Sequence, residues 1–161
     1  MSQEKTSERL MCLLGNWQGT GEGNFPTIDS FRYREELHFE NDLGPFHYEQ
    51  RTWLIDGEDK PVEASHWESG FLIVLEDGRI RMSNAQSGGR VEVLEGFATY
   101  GDVPGELVLE LTSIAEAGDA RMIATRRHIR LSGESLDYEM GMHTDQTQER
   151  LPHLSARLKR V

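Results

Sequence analysis

From Gly15 onward the chain alternates apolar and polar residues in short runs, and each run ends in a turn signal. A period of two is the pattern of a strand with one face covered. Residues 16–23, 30–39, 47–55, 65–75, 79–86, 90–100, 106–114, 121–131, 135–142 and 151–161 read as strands, roughly ten in all. In 30–39, Phe31, Tyr33 and Leu37 alternate with Arg32, Arg34 and His38. The runs are separated by turns at 42–45, 56–61, Asp77–Gly78, Gly88–Gly89, Gly105, Gly118–Asp119 and Gly133. Links this short favour antiparallel, up-and-down order. A sandwich would show the same periodicity, but closing the sheet removes its edges, and more than about eight strands leave room inside for a ligand. The expected fold is all-β, a roughly ten-stranded antiparallel up-and-down barrel with a pocket. One short helix over 7–14 leads it, with Ser7 as cap, Leu10, Met11 and Leu14 on its apolar side and Gly15 as its end. A helix of that length serves as a lid or plug.

Size and charge narrow the function. The 161 residues fit one domain, 1–161, with no linker, repeat or low-complexity stretch. Lys and Arg number 17 against 28 Asp and Glu, a net charge of −11, and such a surface repels phosphate backbones and anionic lipid. No nucleic acid and no membrane are therefore expected as partners. Mean hydropathy is −0.58, and no apolar run approaches the roughly 20 residues of a spanning helix. The single cysteine, Cys12, forms no internal disulfide and fits a reducing compartment; residues 1–9 lack the pattern of a secretory signal. The expected location is the cytoplasm. There is no G-x-S-x-G elbow, H-E-x-x-H or P-loop, so no hydrolase or nucleotide chemistry stands.

The first strand carries G-x-W-x-G-x-G as Gly15-Asn16-Trp17-Gln18-Gly19-Thr20-Gly21, running on to Pro26-Thr27-Ile28. Trp17 is the natural plug of a barrel end, with glycines permitting tight coiling around it. Further on come His66-Trp67-Glu68-Ser69-Gly70-Phe71, then Ala85-Gln86-Ser87-Gly88, Val91-Glu92-Val93 with Gly96, and finally Pro152-His153-Leu154-Ser155-Ala156-Arg157-Leu158. In these strings, in this order and over nearly the whole length, the chain resembles the nitrobindin family. These are small haem-binding β-barrels shaped like lipocalins and fatty-acid-binding proteins.

The resemblance implies roles residue by residue. The histidine of the terminal P-H-L string, His153, matches the axial haem ligand, and Thr27 of P-T-I matches a residue at the haem's edge. Arg121 falls where a basic residue helps hold the haem, at a position where the family commonly carries Lys. His66 and Met142 match residues lining the pocket. The residues themselves qualify this. His153 shares strand parity with Ser155 and Arg157, whereas Leu154, Ala156 and Leu158 form the apolar alternate. Either a bulge near Pro152 reorients the ring, or the pocket wall uses the more polar face. Arg121 alternates with Ile123, Thr125, Ile129 and Leu131, the face expected inside, and a cation beside apolar residues suits a propionate. Tyr138, Met140 and Met142 share a face, and thioethers adapt to a flat macrocycle. His66 is expected to line the pocket without ligating iron.

With one cysteine and no C-x-x-C-H, any haem would be a non-covalent haem b. The resemblance implies ferric haem on His153, isomerisation of peroxynitrite to nitrate, and nitric oxide as a second small ligand; a homodimer is compatible with it. The alternative is a non-catalytic carrier or sensor of haem, nitric oxide or a fatty-acid-like molecule, because fold alone does not fix function.

Overall fold

Hydrogen bonding joins each strand to the next in sequence and finally joins the last to the first. In the computed structural model, which describes residues 3–161, the strands are β1 (Gly15–Phe25), β2 (Ile28–Glu40), β3 (Phe46–Ile55), β4 (Pro61–Val74) and β5 (Ile80–Gln86). They continue as β6 (Val91–Tyr100), β7 (Glu106–Ala117), β8 (Met122–Ser132), β9 (Ser135–Thr144) and β10 (Leu151–Arg160). All pairs are antiparallel, and β1 against β10 closes the barrel. The seam sets Trp17 opposite Arg160 and Gly23 opposite Leu154. It tolerates no side chain at two positions. A Cβ on Gly19 would lie 2.0 Å from the Arg157 carbonyl oxygen, and one on Gly21 would lie 2.5 Å from both the Ser155 carbonyl oxygen and the Tyr33 ring.

Preceding the barrel, α1 (Gln3–Leu10) starts before Ser7, so Ser7 lies within the helix and does not cap it. Its register is set by burial of Thr6 and Leu10, one turn apart, and by Gln3 donating to the Val74 carbonyl at 2.7 Å. A 3-10 turn (Met11–Leu13) replaces its last turn. Leu10 and Leu13 are then fully buried against Trp17, so the helix plugs one barrel end as its sequence suggested. Trp17 Nε1 donates to the Leu13 carbonyl at 2.8 Å, and the Arg160 guanidinium lies 4.2 Å from the indole centroid. Cys12 is a free, half-buried thiol packed beside this cluster. Among the described residues no helix is long and apolar enough to cross a membrane.

The interior is layered. At the plugged end Leu37, Phe39, Phe46, Leu72, Ile80, Leu107, Leu131, Leu136 and Leu158 form a packed core. Next comes a buried polar layer of Glu35, Gln50, Glu68, Asn84, Glu92, Thr125 and Arg127. Register generates much of it, since Gln50 stands opposite Glu68 and Asn84 opposite Glu92 on neighbouring strands. Beyond that layer the barrel is hollow.

Candidate functional site

The hollow encloses about 720 Å³, within the range of small-molecule pockets. Thr27, His66, Arg121, Met142 and His153 all line it, so residues from five separate parts of the sequence converge on one cavity.

His153 owes its position to a defect in the ladder. Pro152 pairs with Gly141 and Leu154 with Met140, which leaves His153 as an extra residue, a bulge. In a regular strand His153 and Leu154 would face opposite ways; here both line the cavity. Of the two arrangements left open by the sequence, this is the bulge. Phe25 and Phe31 meet the ring edge-on at centroid distances of 5.6 and 6.4 Å. Nδ1–H donates to the Asn24 carbonyl oxygen at 3.2 Å, which leaves Nε2 with a free lone pair. Burial pushes the imidazole pKa below its ordinary value against the opposing effect of that bond, and the charges of Arg90 and His66 push the same way. A neutral imidazole with one nitrogen fixed and the other free is the ligating form.

Thr27 is exposed in the β1–β2 turn at the cavity mouth. Met142 is half-buried, and Met140 and Tyr138 stand beside it on the same face of β9. His66 is half-buried with Nε2 3.2 Å from Glu68 Oε2. Arg121 corrects the parity reading. Ile123 is exposed, because β8 and β9 slip register between Met122 and Ala124, and only from Thr125 onward does that face point inward. Arg121 itself precedes β8, is 74% exposed, and donates twice to Asp119, at 3.1 and 3.0 Å.

The floor of the cavity was not singled out from the sequence. Arg127, fully enclosed, donates to both oxygens of Glu68, at 2.5 and 3.0 Å, and to Glu92. Tyr48 also donates to Glu68, and Thr125 and Asn84 donate to Glu92 at 2.7 and 3.1 Å. Burial opposes ionisation of Glu68, but the Arg127 guanidinium and the bonds from His66, Arg127 and Tyr48 outweigh it and hold the carboxyl at about 2. Glu35 is different. Burial pushes it up to about 7, against a single bond from Gln50 at 2.7 Å, and its Oε2 has no partner. The signal for Arg127 was present, since it shares inward parity with Thr125 and Ile129, and a cation indoors requires buried carboxylates.

A closed barrel packed at one end and hollow at the other has the architecture of a ligand-binding barrel. The particular kind follows from comparison. Residues 7–160 match the family described as THAP4-like, heme-binding beta-barrel domain, and the chain belongs to that family, the nitrobindins. It is 37% identical over 153 residues to peroxynitrite isomerase Rv2717c of Arabidopsis thaliana, covering 94% of this chain and 87% of that protein. It is 35% identical over 150 residues to the peroxynitrite isomerase of Nocardioides sp., covering 92% and 88%. Its fold matches the crystal structure of Rv2717c from M. tuberculosis with a TM-score of 0.82, at 30% identity and 97% coverage of each chain.

The lining fits a haem. His153 offers a neutral donor, Phe25, Phe31, Met140, Met142 and Leu154 an apolar wall, and Arg90 and Arg121 cations for acidic substituents.

Proposed function

We propose that the chain binds a non-covalent haem b in this cavity through His153 and isomerises peroxynitrite to nitrate, with nitric oxide as a further small ligand. The observation that carries the reading is the bulge that brings a neutral, oriented imidazole into a hollow already bordered by Leu154. Relatives at 35–37% identity named peroxynitrite isomerase support the activity. A haem held by His153 would supply the iron chemistry on a small nitrogen–oxygen ligand.

The chain's own part is ligation, orientation and exclusion of water. Asn24 holds the His153 tautomer through Nδ1. Phe25 and Phe31 fix the ring plane. Met140 and Met142 provide deformable apolar surface against a flat ligand. Thr27 and Arg121 stand at the mouth, where the edge of such a ligand meets solvent. His66 is read as a wall residue and not as a ligand, with its Nε2 hydrogen-bonded to Glu68. Trp17 stays a structural plug. A free Cys12 accords with a cytoplasmic location. A fatty-acid carboxylate entering the closed end would meet Glu68, and the buried guanidinium there, Arg127, is already shared by Glu68 and Glu92, so we do not adopt that reading.

The test is a ferric haem titration of the protein and its His153→Ala variant, followed through the Soret band. The wild type takes up one equivalent. The variant loses affinity by more than about a hundredfold, since even losses outside the first ligand sphere cost 10–100-fold, and no longer accelerates peroxynitrite decay. Full haem retention and activity in His153→Ala would overturn the assignment.

A further inference from the structure

We propose that Arg90 is the cavity's carboxylate anchor, so that the ligand's acidic edge enters towards the β5–β6 hairpin and not only towards the exposed Arg121. The inference rests on the haem reading above and adds to it which cation grips the acid. Arg90 lies between β5 and β6, beside Gly88 in the cavity lining, and its side chain is 11% exposed. Gln86 holds its guanidinium by accepting from Nε and Nη2 at 3.1 and 3.0 Å. The remaining amino group, Nη1, is buried and has no hydrogen-bond partner. Glu116 Oε2 stands 3.7 Å from it, an ion pair too long for a hydrogen bond, and both Glu116 carboxylate oxygens are likewise unpartnered.

A guanidinium oriented on one side, desolvated and unsatisfied on the other, is a receptor for an anion. Arg121 also faces a carboxylate, but it differs in its exposure and in how closely that partner holds it. It is open to solvent and already chelated by Asp119, so a ligand carboxylate reaching it must displace that partner and gains little in high dielectric.

The experiment compares equilibrium binding of haemin with that of its dimethyl ester, which lacks the charged carboxylates, in wild type, Arg90→Gln, Arg90→Lys, Arg121→Gln and Glu116→Gln. Wild type prefers the free acid. Arg90→Gln binds haemin about ten- to a hundredfold more weakly, the range for losing a charge-assisted bond in a dry site, and binds acid and ester alike. Arg90→Lys, which keeps the charge but not the fork, recovers part of the preference and guards against a folding defect. Arg121→Gln loses less than Arg90→Gln. Glu116→Gln removes the facing carboxylate and tightens haemin without changing the ester. Equal weakening of acid and ester in Arg90→Gln, or a wild type indifferent to esterification, overturns the anchor while leaving haem binding intact. A wild type that takes up neither porphyrin overturns the haem reading and the anchor with it.

Discussion

Glu35 and Glu68 lie in the same buried layer, yet their environments push them in opposite directions. Glu68 faces Arg127 and is held near 2, whereas Glu35 has only an amide and is pushed up to about 7. Their linkage to stability is therefore opposite. Glu68 contributes stability that is present above pH 4.5 and lost as the pH falls towards 2. Glu35 keeps its proton in the fold up to about pH 7, while the unfolded chain releases it near 4.5. Its contribution is complete below 4.5, declines as pH rises through that window, and levels off above 7. His153 adds a slope of the other sign, because an imidazole with a lowered pKa favours the fold more as pH rises towards 6.5. The difference between wild type and Glu35→Gln isolates the carboxyl. Glu35→Gln is expected to gain on wild type between pH 4.5 and 7 and to be more stable above 7 by up to roughly 3 kcal/mol. Urea unfolding of the haem-free protein across pH 4.5–8 measures it; parallel curves would show that Glu35 is ionised throughout.

Strand by strand, the barrel was legible because its elements obey a period of two, and its connections are tight turns marked by Gly and Asp. The ladder slips at several places, and the two slips that mislead parity fall at the cavity, at His153 in β10 and at Ile123 in β8. A bulge is a property of two strands together, so one strand's alternation does not reveal it. Arg127 escaped notice for another reason: its inward parity was readable, but its partners come from β4 and β6, more than thirty residues away in sequence. Arg121 and Arg90 are both basic residues beside a turn, and only their surroundings, one open and one desolvated, tell them apart. The seam between β1 and β10 makes the element-scale prediction. Gly19→Ala drives a methyl group into the Arg157 backbone at 2.0 Å, and backbone has no rotamer by which to yield. Loss of about 2 kcal/mol or more is expected by thermal unfolding. Thr20→Ala, next in the chain at an exposed position, serves as the control and stays within about 0.5 kcal/mol.

Across the whole molecule, the polar layer is the partition that lets one sheet be both a packed core and a ligand chamber. A barrel filled with leucine from end to end would have no cavity, and one hollow throughout would lack the burial that holds it closed. Here the helix and Trp17 seal one end, and the hydrogen-bonded Arg127 network forms a polar floor beneath the hollow. The floor behaves as a unit in charge, since one enclosed guanidinium serves both Glu68 and Glu92. Removing the cation alone therefore strands two buried carboxylates. Arg127→Met is expected to cost about 3–5 kcal/mol, the range for breaking a buried ion pair. Adding Glu68→Gln and Glu92→Gln to Arg127→Met removes the stranded charges and is expected to restore most of that loss, because a neutral, well-packed replacement of a buried triad is often no less stable. Chemical unfolding of the single and triple variants decides whether the layer is one electrostatic unit. Additive losses in the triple variant would instead make each side chain an independent packing element, and the floor would then owe its stability to shape and not to charge.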